Sequence, residues 1–342
     1  LRFGPRLDVF NPGLAFVAMF ITGIAHGLHP GLTMADSLRS LIGSAAPFAF
    51  SFSRLSRGWA RAIIRMTAWT PLISVAAGCL LAAAGIRPLF VDAGGMRLAA
   101  LGHPAFLAGF ALAAIYACLI ELYRDGDRRR ILLLAANLLI LLLTGARAPL
   151  LYGVAVTALA LGFVSSPALP RRVRFGLLLA GALAVPVLAA FSDNLTVLRL
   201  FNSVDNYAGN LSGRDELWPH FEAAAAASPW VGWGVGAGNV IIPPTSEIAE
   251  IMHTWAAHNE YLRIAVEGGQ FGRTLLILLF ALWCLRNSAP LPCWERRIIR
   301  LVFVAFACHA FTDNVLISTS ASVLFAFVSA VFAEHPADER AA

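Results

Sequence analysis

The sequence predicts an all-α polytopic membrane protein, with about ten transmembrane helices and one large extracytoplasmic loop that contains short helices. Three observations predict it. Of the 342 residues, 58% are hydrophobic and 13% charged, and the mean hydropathy is +0.72, which is the balance of a bilayer protein and not of a soluble domain. Runs of about 15 or more apolar residues recur along the chain. One long interval, 191–272, breaks the series and is too polar to sit in lipid. It holds nine acidic residues and three arginines, whereas the whole chain is +6.

Taken in order, spans are expected at 13–28, 38–52, 63–85, 104–122, 131–145, 148–165, 174–191, 264–285, 297–312 and 315–333. The apolar stretch 14–25 has no small-residue cleavage site after it and reads as a span, not a signal peptide. The second and fifth spans are short for a hydrocarbon core of about 30 Å and read as tilted neighbours of re-entrant pieces. All 26 basic residues are arginine. Eighteen of them, including Arg54, Arg57, Arg61, Arg65, Arg124, Arg128, Arg129 and Arg130, fall on one side of this arrangement. That side is therefore cytoplasmic, and 191–272 is outside. The expected organisation is an N-terminal bundle (1–190), the loop (191–272) and C-terminal helices with a tail (273–342), all within one membrane domain.

Several chemistries are excluded by pattern. Cys79, Cys118, Cys284, Cys293 and Cys308 all lie outside the loop and form no CxxC pair, so neither a disulfide framework nor a zinc site is expected. No metal or other cofactor is expected. Asp125-Gly126-Asp127 has the spacing of a metal-binding DxD, but it faces the cytoplasm before three arginines and reads as a turn. The glycines at 232, 234, 236 and 238 do not form GxGxxG. Their alternation means that the backbone there approaches something closely. Neither a nucleotide nor a nucleic acid is an expected partner.

Three residues stand out as chemistry. Arg147, in Thr144-Gly145-Ala146-Arg147, lies at an extracytoplasmic turn against the positive-inside bias. It reads either as a helix-end arginine reaching the interface or as a guanidinium that binds phosphate. Arg214 follows Ser212-Gly213 at the expected start of a loop helix, where Ser212 can cap and Asp215 and Glu216 suit the dipole. A cation is unfavourable there, and either those carboxylates or an anionic ligand offsets it. His258 precedes Asn259 at the entry to the eighth span. Arg263 has Glu260 and Glu267 at i−3 and i+4 and reads as a structural ladder. His258 stands outside that ladder, and an imidazole is suited to take a proton from a hydroxyl.

At these residues the chain resembles the O-antigen ligase and polymerase superfamily. His258-Asn259, nine residues, Gly269, two residues and Gly272 match its H-N-x9-G-x-x-G pattern. Ser228-Pro229-Trp230-Val231-Gly232-Trp233-Gly234 and Ser212-Gly213-Arg214 are similar to the segments that precede it, with Trp233 and Gly234 as supporting positions. Thr144-Gly145-Ala146-Arg147 is similar to the family's Ser-Arg turn, with Ala146 in place of serine. Arg97-Leu98 with Gly102-His103-Pro104 resembles a further upstream element.

The resemblance implies a metal-independent glycosyltransferase of the bacterial inner membrane whose site faces the periplasm. Its donor would be a glycan linked to undecaprenyl diphosphate. Its acceptor would be lipid A-core in a ligase, or a growing polysaccharide in a polymerase. By matching positions, Arg147 and Arg214 would hold the diphosphate and His258 would act as base, supported by Asn259, Gly269 and Gly272. The residues agree on one independent point: an extracytoplasmic transferase has no nucleotide sugar and needs a lipid-linked donor. The rival class is a secondary transporter or flippase, which places its ionisable groups near the midplane; here they gather at one face.

Overall fold

A computed structural model describes residues 6–92, 95–190, 214–252, 254–317 and 319–334. The helices are α1 (Gly13–His26), α2 (Met34–Ala45), α3 (Arg57–Ala83), α4 (Pro104–Asp125), α5 (Arg128–Leu143), α6 (Arg147–Phe163) and α7 (Arg171–Ala190), then α8 (Arg214–Ala227), α9 (Glu247–Met252), α10 (Glu260–Ser288), α11 (Cys293–Ala310) and α12 (Thr319–Ala333). Two strands, β1 (Phe90–Asp92) and β2 (Met96–Leu98), pair antiparallel between α3 and α4. A 3-10 helix, Ala46–Phe52, follows α2 directly.

A helix lies over each stretch expected to be a span. Among the described residues, α3, α4 and α10 are long and apolar enough to cross a membrane, and α1, α6 and α12 are apolar but shorter. The structure thus gives a mostly helical chain with membrane-helix character and, among the described residues, three helices with the length and composition of a full span, against about ten crossings expected. Several of the other helices depart from that length or composition for local reasons. The 14 residues of α1 cover about 21 Å against a core of about 30 Å. After α2, Pro47 has no N–H to continue the ladder, and the chain tightens into the 3-10 helix. In α11, Glu295, Arg296, Arg297 and Arg300 fall within 18 residues.

The chain forms two compact units. The first comprises Leu1–Arg54, Gly209–Asn287 and Phe306–Ser329. Its apolar parts meet around Phe48, whose ring packs on Phe280, Trp283 and Phe325. Asp8 accepts the Trp283 Nε1 hydrogen at 2.9 Å and so pins the N-terminal segment to α10. A second cluster joins Leu217 and Phe221 of α8 to Ile242, Ala257 and Val266.

The second unit comprises Leu55–Ala208, Ser288–Ala305 and Ala330–Ala342. Its centre is α4, buried along most of its length and packed against α3, α5 and α6, as a helix that is apolar all round must be. Gly126 ends α4 in the left-handed conformation, and a Cβ there would stand 2.2 Å from Ala168 O. Asp125 then accepts the Asp127 N–H at 3.0 Å, and Asp127 caps α5 by accepting the Arg129 N–H at 2.9 Å. The Asp-Gly-Asp stretch is therefore a helix-to-helix turn. Beside it the buried carboxylates of Glu121, Glu295 and Glu334 gather Arg61, Arg65, Arg124 and Arg130 into one ion cluster.

Candidate active site

The scaffold of the site is a break in α10. At Gly269 the backbone leaves the helix, with φ 58° and ψ −157°. A break strands carbonyls on one side and N–H groups on the other, and the loop at 229–234 satisfies both. Trp233 N–H and Gly234 N–H donate to Val266 O and Glu267 O at 2.9 and 3.0 Å, while Pro229 O and Trp230 O accept from Gln270 and Phe271 at 2.8 and 3.0 Å.

The motif glycines are what lets these backbones meet. A Cβ on Gly232 would lie 2.5 Å from the Glu267 carbonyl carbon, and one on Gly269 would lie 2.4 Å from that of Trp230. A Cβ on Gly272 would lie 2.5 Å from Met19 of α1, one on Gly234 2.5 Å from Leu28, and one on Gly236 2.6 Å from Ser40 of α2. The close approach expected from the alternating glycines is thus to neighbouring protein.

The loop and α8 hold the segment in front of α10. Trp233 Nε1 donates to Ala224 O at 2.7 Å, and Trp218 Nε1 donates to Ala257 O at 2.8 Å. The next residue is His258, whose φ of +46° places a non-glycine residue in the left-handed region. Such conformations cost of order 1–3 kcal/mol and persist only where the surroundings impose them. Asn259 caps α10 by accepting the Leu262 N–H at 3.2 Å.

The His258 side chain lies between two partners. Its Nδ1 is 3.0 Å from Asp313 Oδ1, and its Nε2 is 3.1 Å from Thr254 Oγ1. An ionised carboxylate only accepts, so Nδ1 carries the hydrogen, and the Nε2 of a neutral ring accepts from the Thr254 hydroxyl. Asp313 follows α11 and is brought here by α10. Glu260 Oε1 accepts the Leu316 N–H at 2.8 Å, and Tyr261 Oη donates to Ala307 O at 2.9 Å.

Asp313 is the charge centre of this group. Burial pushes its carboxyl up, but the His258 hydrogen bond and charge, the His309 charge and the Asn314 N–H together hold it below its ordinary value. His309 Nε2 stands 3.9 Å from Asp313 Oδ2. Arg214, partly buried at the N-terminal end of α8, feels the same carboxylate: burial lowers its pKa and Asp313 raises it, with a net lowering. An arginine so placed is still charged at neutral pH.

Of the residues picked out in the sequence, His258, Arg214, Asn259, Trp233, Gly234, Gly269 and Gly272 belong to the first unit. His258 hydrogen-bonds Asp313, and Arg214 feels the charge of the same carboxylate. Arg147 belongs to the second unit, exposed at the start of α6. Ser212 and Gly213 lie outside the described residues. Arg263 does hold Glu260 and Glu267, at 2.5 and 2.8 Å, but all three side chains are 4% exposed or less. That ladder is a buried ion triad. The sequence reading missed Asp313, Thr254 and His309. One signal was present: Asp313-Asn314 is a polar pair in an apolar hairpin, emerging on the side assigned to the loop. Among the described residues no group of three or more His, Cys, Asp or Glu side chains is placed to hold a metal ion.

Residues 131–277 match the model of the O-Antigen ligase family. This bears out the resemblance and supports the O-antigen ligase and polymerase superfamily. The matched stretch contains Arg147, Arg214, His258 and both motif glycines of α10, whereas Arg97 and Asp313 lie outside it. No curated protein matches the chain.

Proposed function

We propose that this chain is a glycosyltransferase that moves a glycan from undecaprenyl diphosphate to an acceptor hydroxyl at the outer face of the inner membrane, without a metal ion. The observation that carries the reading is the His258–Asp313 pair, 3.0 Å apart, with Arg214 electrostatically coupled to the same carboxylate. A base oriented by a carboxylate beside a cation is what displacement of a diphosphate from a sugar requires.

In this mechanism His258 Nε2 takes the proton of the acceptor hydroxyl as that oxygen attacks the anomeric carbon. The bond from that carbon to the diphosphate oxygen breaks, and its electron pair leaves with the lipid diphosphate. Asp313 orients the ring through Nδ1–H and stabilises the imidazolium that forms. Arg214 and Arg147 bind the diphosphate and offset the charge it gains. The Thr254 hydroxyl, 3.1 Å from Nε2, marks where an acceptor hydroxyl would stand. Asn259, Trp233, Gly234, Gly269 and Gly272 support this geometry through the break in α10.

With lipid A-core as acceptor the enzyme is a ligase. The same site serves a polymerase if the acceptor is a growing polysaccharide. In both cases 1–190 and 273–342 form the membrane bundle and 191–272 the periplasmic loop.

The test is glycan transfer by purified enzyme. His258→Ala should bind donor and transfer it about 10²–10⁴-fold more slowly. Arg214→Lys should retain part of the donor affinity that Arg214→Ala loses, because lysine keeps the charge without the bidentate fork. Transfer should persist in EDTA. Wild-type transfer by His258→Ala would refute the mechanism, and loss in EDTA with recovery on adding a divalent ion would refute the metal-independent form.

A further inference from the structure

Arg147 is exposed at a turn, and its position depends on what holds that turn. Thr144 is the C-terminal cap of α5 and is fully buried. Its hydroxyl donates to Leu141 O at 2.6 Å and accepts the Ala146 N–H at 3.4 Å. Gly145 then takes φ +65°, and Ala146, with no side-chain cap, leads into Arg147 as the first residue of α6. The polar anchor of this turn comes from elsewhere in the second unit. Arg97, on β2, is 8% exposed, and its Nε–H donates to Thr144 O at 2.8 Å. That carbonyl is one of the last four of α5, which have no partner within the helix, and a cation there complements the dipole.

The segment that carries Arg97 is itself immobilised. Ala99 N–H donates to Leu89 O at 3.0 Å, and Ala100, buried, holds φ +52°. Among the described residues only Ala100 and His258 are non-glycine residues with positive φ. Gly78 of α3 lies so close that a Cβ would stand 2.8 Å from Ala100 Cα. Arg87 closes the far side by donating to Leu101 O and Gly102 O at 2.9 and 3.1 Å. Strain retained in a buried, clamped loop points to a positional role.

We propose that Arg97 is a positioning residue for Arg147: it ties the clamped 97–102 segment to the Thr144 carbonyl and thereby sets where the Arg147 guanidinium meets the donor diphosphate. The proposal rests on the reading of Arg147 as a diphosphate ligand. It differs from plain helix capping in what removal does. Loss of a cap lowers stability and leaves the donor KM of the folded molecules unchanged. Loss of a positioning contact raises donor KM.

The experiment uses the full-length protein, with undecaprenyl-diphosphate-linked glycan titrated at saturating acceptor. Hydrogen exchange is followed at 144–150. Arg97→Met should raise donor KM by about 10- to 100-fold, since a 1 Å misplacement costs up to about that factor, with acceptor KM unchanged and faster exchange at 145–148. Arg97→Gln keeps a shorter donor and should fall between; it decides the matter if Arg97→Met does not accumulate. On an Arg147→Ala background, Arg97→Met should add little further, because the two act as one unit. Unchanged donor KM in the folded Arg97 variants, or full additivity with Arg147→Ala, overturns the proposal and leaves the function standing. If Arg147→Ala alone leaves donor KM unchanged, the reading of Arg147 fails, and this proposal with it.

Discussion

Replacing Asp313 by asparagine tests the site most directly, because it changes one charge and almost no volume. The magnitude follows from the pair itself. Nδ1 and Oδ1 are 3.0 Å apart, and the two side chains are 32% and 39% exposed. Unit charges at that distance attract by about 1.4 kcal/mol in water and about 5.5 kcal/mol at an effective dielectric of 20. With a third of each side chain in solvent the lower figure is the appropriate one, and it corresponds to about tenfold in rate. A second effect adds to it. The asparagine amide can donate to Nδ1, which moves the ring hydrogen to Nε2 and removes the base outright, a loss of about 10²–10⁴-fold. The expected fall in kcat therefore lies between about tenfold and 10⁴-fold. Donor KM should not rise, because the carboxylate opposes a dianionic donor and its removal leaves Arg214 more available. The assay is transfer by purified enzyme at varied donor and saturating acceptor. A wild-type kcat in Asp313→Asn, or a raised donor KM with kcat intact, would refute the assignment of Asp313 as the partner of the base.

Five further outcomes are expected. Asp313 is held below its ordinary carboxylate value in the folded chain, so its contribution to stability is present above about pH 4 and is lost as pH falls through its lowered value. The excess of the wild-type thermal midpoint over that of Asp313→Asn should accordingly narrow below about pH 4. Reporter fusions at Ser246 and Gly126 should report opposite compartments, and a shared compartment would sink the topology. Gly269→Ala meets Trp230 at 2.4 Å in a conformation that L residues avoid and should lower stability by at least about 1–3 kcal/mol. Gly102→Ala, with open space around it, should change stability by less than about 0.5 kcal/mol. Arg263→Ala strands two buried carboxylates and should cost about 3–5 kcal/mol, read as lost accumulation of folded protein.

The features legible in the sequence are those written in short-range pattern. Apolar runs place a helix at every expected stretch, because a span satisfies its own backbone and needs only length and composition. The Asn259 cap, the Asp-Gly-Asp turn and the Glu260–Arg263–Glu267 spacing follow from contacts within four residues. Spacing does not report burial, however, and the ladder is an interior triad whose loss threatens the fold. The motif glycines were visible as a motif, but their reason was not. Gly232 and Gly269 are 37 residues apart and are required because one loop enters the break of one helix. Asp313 lies 55 residues beyond His258, and no local pattern ties a turn after one helix to an imidazole before another. Only the packing of α10 against the 307–316 segment joins them. A carboxylate acts on an imidazole over about 3 Å, a distance that chain separation does not encode and tertiary packing decides.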